Sequence, residues 1–241
     1  MRGLDLDDND IGDFLGHLIL GVVLGGRLGY VLIYNPMQYL PRPWEIFYVW
    51  NGGMAFHGGL VGVILAGLYW CRKKGIPFAL MADMTVVGTP IGLALGRFGN
   101  FINGELWGRP TDAPWGMVFP TAPDALPRHP SQLYEMLLEG FVLFTALWFY
   151  SRTKPPQGAL FWAFLAGYGL IRFTIELFRN PDAQFITPTN PTGGVLGPLS
   201  MGQTLSLPMI LLGIGMLVAL HVRARKQDPK NPLTQISPPA Q

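Results

Sequence analysis

Six stretches of the chain are almost uninterruptedly apolar, and they are separated by short segments rich in charge, Pro and Gly. They cover residues 15–34, 53–71, 85–104, 131–150, 158–178 and 204–221. Each comes close to the roughly 20 residues that a helix needs to cross ~30 Å of hydrocarbon. Inside a bilayer only helices and closed barrels satisfy their own backbone, and apolar runs of this length predict helices. The expected fold is therefore an all-α polytopic membrane protein with about six transmembrane helices. The polar remainder divides the chain into an acidic start, residues 1–14, a membrane domain, residues 15–222, and a Pro-rich polar tail, residues 223–241, expected to be disordered. The longest connection, residues 105–130, is full of Pro, Trp and Gly, and loops of that length are uncommon without a task.

Basic residues orient the helices, because short loops rich in Lys and Arg stay in the cytoplasm. Lys73, Lys74, Lys154, Lys226 and Lys230 all fall on one side of a six-helix arrangement. With that side inward, Arg27, Arg97 and Arg172 lie in the outer halves of the first, third and fifth stretches, and His57 lies near the outer end of the second. A charge within a bilayer costs roughly 2.5 to 3.5 kcal/mol on insertion scales and usually has a function. The expectation is one site, opening toward the outer leaflet.

Composition narrows the partners. The chain has 241 residues, 49% hydrophobic and 13% charged, with mean hydropathy +0.30; an average soluble domain carries about 25% charged residues. A net charge of +2 and the lack of a basic stripe argue against nucleic acid and leave lipid as the partner. A lone Cys71 makes no intrachain disulfide and has no metal-ligand spacing, so it reads as packing. The start, MRGLDLDDNDIGD, has no basic region ahead of an apolar core and is not a signal peptide. No G-x-S-x-G, H-E-x-x-H or Walker pattern is present, and no metal or cofactor is implied.

Two segments echo each other about 70 residues apart, GGRLGY at 25–30 and LGRFGN at 95–100, as a duplicated helix hairpin would. Glycines at four-residue spacing, Gly25 and Gly29 or Gly88, Gly92 and Gly96, predict helices packed backbone to backbone.

Residues three and four apart share a helix face. Arg97, Asn100 and Gly104 make one stripe, with Asn103 and Glu105 close by; Arg172, Glu176 and Arg179 make another, in which Glu176 can pair with either arginine. Arginines below the outer surface with few acids to neutralise them suit an anion, and guanidinium matches phosphate bidentately. A phospholipid headgroup is the natural candidate. His57, in GGMAFHGG, is flanked by Gly52, Gly53, Gly58 and Gly59, and imidazole exchanges a proton near neutral pH. Structural alternatives stand beside each reading: a salt-bridged helix end for the second stripe, a snorkelling side chain for Arg97, an interhelical hydrogen bond for His57. His129, at the start of the fourth stretch, reads as structural.

The run GRFGNFINGELWGRPTD closely resembles the signature of the bacterial prolipoprotein diacylglyceryl transferase family. GGRLGYVLIYNP, GGMAFHGGLVG, PRHPSQLYEMLLEG, RNPDAQF and SMGQTLSLPM resemble that family's other blocks in the same order, from about Gly21 to about Leu220. The resemblance implies an inner-membrane enzyme that moves the diacylglyceryl group of phosphatidylglycerol to the lipobox cysteine of a preprolipoprotein signal peptide, forming a thioether and releasing glycerol phosphate. It implies that Arg97 binds the headgroup, that Asn100 and Gly108 are needed, and that the essential histidine is His57. A second essential arginine falls on Arg172, with Glu176 and Arg179 alongside, and Tyr30 matches the tyrosine of GGRLGY.

The family pattern has seven helices, the first carrying a tyrosine near the lipid site, and no stretch before Leu15 matches it. MRGLDLDDND reads like a cytoplasmic loop, so the expectation is a misassigned start. A rival class, a transporter or lipid-binding channel lined by the same charges, predicts charged groups at cytoplasmic depth as well; the stretches show only Asp83 there, at an edge.

Overall fold

A computed structural model of the chain describes residues 6–180 and 194–227. Of the tail expected to be disordered, residues 228–241 lie outside the described residues, as does the RNPDAQF block beyond Asn180. The described chain is helical, its extended pairing limited to isolated bridges. It forms two compact units, residues 1–81 and 82–241.

The first unit begins with α1 (Asp8–Gly29), capped by the Asp7 carboxylate, which accepts from Asp10 N at 2.7 Å. Asp8 and Asp10 in the first turn suit the positive end of the helix dipole. The segment read as a polar start is thus helical from Asp8 onward. A π-turn (Tyr30–Tyr34) follows, then α2 (Pro36–Tyr39), two 3₁₀ turns (Pro43–Phe47 and Val49–Asn51) and α3 (Phe56–Lys74), which ends at the left-handed Gly75. Helices α1 and α3 touch through glycine. A Cβ on Gly25 would lie 2.3 Å from Gly58 O, and one on Gly62 would lie 2.0 Å from Gly21 O, so the expected backbone packing holds here. Cys71 is buried with Phe14, Trp70 and Met81, as its packing role requires.

Arg27 is fully committed within this unit. Its guanidinium donates to the carbonyls of Glu45 (2.7 Å), Ile46 (2.7 Å), Gly52 (2.6 Å) and Gly53 (3.2 Å), and it lies 5.2 Å from the centre of the Tyr39 ring. At 3% exposure it ties the α1–α3 connection to α1. Arg27 is therefore a structural clamp rather than a ligand-facing charge, since every edge of its fork is taken by backbone.

The second unit contains most of α4 (Phe78–Ile102), then α5 (Ser131–Glu135), a π-helical turn (Met136–Val142), α6 (Leu143–Arg152), α7 (Ala159–Ile175) and α8 (Met201–Gln227). Val86, Leu143, Leu147 and Leu160 form its apolar core. Asp83 accepts from Gly158 N (2.7 Å) and Phe161 N (2.9 Å), satisfying N–H groups that the start of α7 leaves over. At the head of α8, Ser200 N donates to Gln203 Oε1 (3.1 Å) and Gln203 N to Ser200 Oγ (3.2 Å), a reciprocal capping box. Small residues again set close approaches: a Cβ on Gly140 would lie 2.5 Å from that of Ala94, and one on Gly213 2.7 Å from that of Ala166.

One expectation fails. A Cβ added to Gly88, Gly92 or Gly96 would meet nothing within 4 Å, so that stripe is not a packing seam among the described residues; four-residue spacing alone does not say which glycine face has a neighbour.

The six expected spans correspond to α1 with its π-turn, α3, α4, the continuous α5-to-α6 segment, α7 and α8. Among the described residues, four are long and apolar enough to cross a membrane: Asp8–Ile33, Phe78–Ile102, Ser131–Arg152 and Met201–Gln227. Helix α3 carries Arg72, Lys73 and Lys74 in its last turn, and α7 has 17 residues. Large apolar side chains such as Leu20, Leu32, Leu211 and Leu212 are more than half exposed on these helices, a surface suited to hydrocarbon.

Candidate active site: a buried cluster of arginines and glutamates

Arg97 lies on α4 near its end at Ile102, where Glu135 at the end of α5 and Glu139 in the π-helical turn that follows come toward it. Its Nε is 2.8 Å from Glu135 Oε2 and 3.5 Å from Glu139 Oε2. Arg172, on the last turn of α7, reaches Glu135 Oε1 through Nη1 at 3.0 Å and Glu176 Oε2 through Nη2 at 2.9 Å. Arg179 completes the group, 3.7 Å from Glu135 and 3.9 Å from Glu176. The second stripe read from the sequence is thus assembled as expected, with Glu176 between its two arginines.

The acids differ from the expectation. Few were expected; three carboxylates, Glu135, Glu139 and Glu176, face the three guanidinium groups of Arg97, Arg172 and Arg179. In the sequence Glu135 and Glu139 stand out only as part of the block PRHPSQLYEMLLEG. The signal was present: two acids one turn apart in the apolar run SQLYEMLLEG, and an ionisable group in such a helix is a functional candidate by default.

Both carboxylates approach Arg97 most closely at Nε, and neither of its Nη atoms donates a hydrogen bond among the described residues. Its side chain is 20% exposed, while those of Glu135 and Glu139 are 1% and 0% exposed. The acids therefore hold the guanidinium at its Nε side. Beside Arg172, α8 comes close enough that a Cβ on Gly202 would sit 2.6 Å from Glu176 Oε2.

The loop that leaves α4 is anchored beside this cluster. Asn100 and Asn103 donate to Glu105 Oε1 at 2.9 and 3.3 Å. These bonds, Asn100 first, hold the exposed Glu105 carboxyl below the ordinary carboxylate range. The turn needs left-handed backbone at Gly104 (φ 68) and Leu106 (φ 59). Gln132 donates to Glu105 O (2.7 Å) and Ser131 to Leu106 O (3.0 Å), fixing the corner to the first turn of α5. Gly108 N bonds His129 O and Arg109 N bonds Phe178 O, both at 2.9 Å. A Cβ on Gly108 would lie 2.5 Å from Phe178 O and 2.7 Å from His129 O, so only glycine allows this pairing. His129 Nδ1 lies 3.1 Å from the Tyr134 hydroxyl and its ring packs on Phe178, which supports its structural reading.

Asn100, Asn103, Glu105 and Gly108, expected at the substrate, are thus engaged with one another and with the neighbouring backbone. Their geometry builds the wall that carries Arg97 and Glu135.

His57 and Tyr30 belong to the first unit. His57 is exposed in the first turn of α3, its ring edge-on to Phe56 at 5.7 Å. Gly52 and Gly53 before it take positive φ, and a Cβ on Gly53 would lie 2.4 Å from the Tyr30 ring. Tyr30 therefore packs on the connection that leads to His57.

The family model for prolipoprotein diacylglyceryl transferase matches residues 2–219. The chain is 54% identical over 228 residues to the phosphatidylglycerol–prolipoprotein diacylglyceryl transferase of Geobacter sulfurreducens, covering 95% of this chain and 84% of that one. It is 52% identical over 226 residues to the protein of the same name from Bordetella avium, covering 94% and 83%. The Bordetella bronchiseptica protein of that name is 55% identical over 207 residues, covering 86% and 76%.

Proposed function

The chain belongs to the prolipoprotein diacylglyceryl transferase family, and from that premise we propose that it moves the diacylglyceryl group of phosphatidylglycerol to the lipobox cysteine of a preprolipoprotein signal peptide. It works in the bacterial inner membrane, with the Arg97 cluster open to the outer leaflet.

In this reading the lipid phosphodiester docks on the Nη groups of Arg97, with Arg172 supplying further positive charge. The cysteine sulfur attacks the glyceryl carbon bonded to the phosphate oxygen. A C–S bond forms and the C–O bond breaks; its electron pair leaves with glycerol phosphate, and the thiol proton passes to a base. His57 is the proposed base. Charge grows on the departing phosphate, and donors fixed beforehand by Glu135 and Glu139 stabilise it without having to reorganise. Asn100, Asn103, Glu105, Gly108, Glu176 and Arg179 hold the surrounding wall in place for the substrate, while Tyr30 packs on the connection that leads to His57.

The observation that carries the proposal is the Arg97 guanidinium, gripped at Nε by two buried acids and with its distal nitrogens uncommitted. The test supplies purified protein with phosphatidylglycerol and a lipobox peptide and looks for the thioether by mass spectrometry. Product from the wild type and none from Arg97→Ala is the expected result; full activity in Arg97→Ala would refute the assignment. A transporter would instead move a labelled solute into vesicles without modifying the peptide.

A further inference from the structure

Among the described residues the cluster is electrically even, with Arg97, Arg172 and Arg179 facing Glu135, Glu139 and Glu176. A phosphodiester docking there brings a fourth negative charge into a place where the carboxylates are no more than 6% exposed. An uncompensated buried charge is heavily penalised, and carboxylates crowded into one site relieve it by sharing a proton. The question is which acid takes it.

Glu135 contacts Arg97 at 2.8 Å and Arg172 at 3.0 Å, and Glu176 contacts Arg172 at 2.9 Å. Glu139 has a single approach, 3.5 Å to an Nε that Glu135 already holds. It is fully buried, and neither of its oxygens has a hydrogen-bond partner. The charged and titratable groups facing it are Arg97 from α4, Glu135 from its own helix, and Arg172 and Tyr168 from α7. Glu139 is the least compensated acid in the cluster.

We infer that Glu139 is the proton-linked residue of this site: docking of a lipid phosphodiester at Arg97 draws one proton from solvent onto the Glu139 carboxylate. No other bond changes, and the cluster returns to electrical balance with the anion bound. The inference rests on the phosphate-binding reading of Arg97 given above.

The test is calorimetric titration of purified protein with short-chain phosphatidylglycerol, whose diester phosphate keeps its single charge across the range, in two buffers of different ionisation enthalpy. The wild type should take up a large fraction of a proton per lipid bound, and its affinity should fall as pH rises, by up to about tenfold per unit. Glu139→Gln, fixed in the neutral form, should take up none, lose the pH dependence and bind more tightly than the wild type above neutral pH. Equal proton uptake in both proteins, or none in the wild type, overturns the inference. If Glu139→Gln does not fold, infrared difference spectra of the wild type decide: a protonated carboxyl band on lipid addition supports the inference and its absence refutes it. A wild type that binds no lipid removes the phosphate-site reading together with this one, whereas binding without linked protons removes this one alone.

Discussion

Glu135 stands between Arg97 and Arg172, one carboxylate oxygen 2.8 Å from the first and the other 3.0 Å from the second. It joins α4 to α7 through an acid that is 1% exposed, and removing one partner of such a group leaves charge buried and unanswered. Breaking a buried ion pair in this way costs about 3 to 5 kcal/mol. Glu135→Ala should therefore lower the unfolding midpoint in detergent as well as the activity, and an unchanged midpoint would show that the bridge carries no stability.

Arg97→Lys separates charge from shape. Lysine keeps the positive charge but has no Nε anchor with a distal pair of nitrogens, so it cannot be gripped by Glu135 and also present a fork to phosphate. A missing preorganised donor typically costs about 10²- to 10³-fold in kcat. That loss is expected in the lipidation assay, with thermal stability close to that of the wild type; activity within a few-fold of wild type would mean that charge alone suffices.

Much of the fold was legible because hydrocarbon demands long apolar helices, and each of the six stretches overlaps a helix, although α1, α4 and α8 begin ahead of theirs. Four of the six cluster residues were legible, Arg97 and Arg172 because they interrupt apolar runs and Glu176 and Arg179 because they share a face with Arg172. The other two acids were harder to see. Glu135 and Glu139 sit on another helix, and only folding brings them within 3.5 Å of Arg97. Arg27 looks like Arg97 in sequence, each in a Gly-Arg-x-Gly context, yet its fork is filled by carbonyls of a connection whose path no local pattern discloses.

The glycines give a paired comparison. Gly62→Ala would place a Cβ 2.0 Å from Gly21 O and force α1 and α3 apart. Gly92→Ala meets nothing within 4 Å, and in a helix interior alanine is better than glycine by roughly 0.5 to 1 kcal/mol. Gly62→Ala should therefore lower the unfolding midpoint while Gly92→Ala leaves it equal or higher. Destabilisation by Gly92→Ala would reveal a close neighbour on that face.

The loop corner gives the pH dependence. Hydrogen bonds from Asn100 and then Asn103 depress the Glu105 carboxyl, so the ionised form is favoured in the folded corner. The sign follows: this contribution is fully present above the ordinary carboxylate value, about 4.3, and is lost as pH falls through the lower folded value. Trp107 reports on the corner, since its Nε1 donates to Thr121 Oγ1 at 3.2 Å and Thr121 donates to Gly104 O. Its signal, isolated by subtracting spectra of Trp107→Phe, should stay level from neutral pH to about 4.3 and change below it. In Glu105→Gln, which cannot ionise, that acid transition should vanish; a transition of the same size in both proteins would place the titrating group elsewhere.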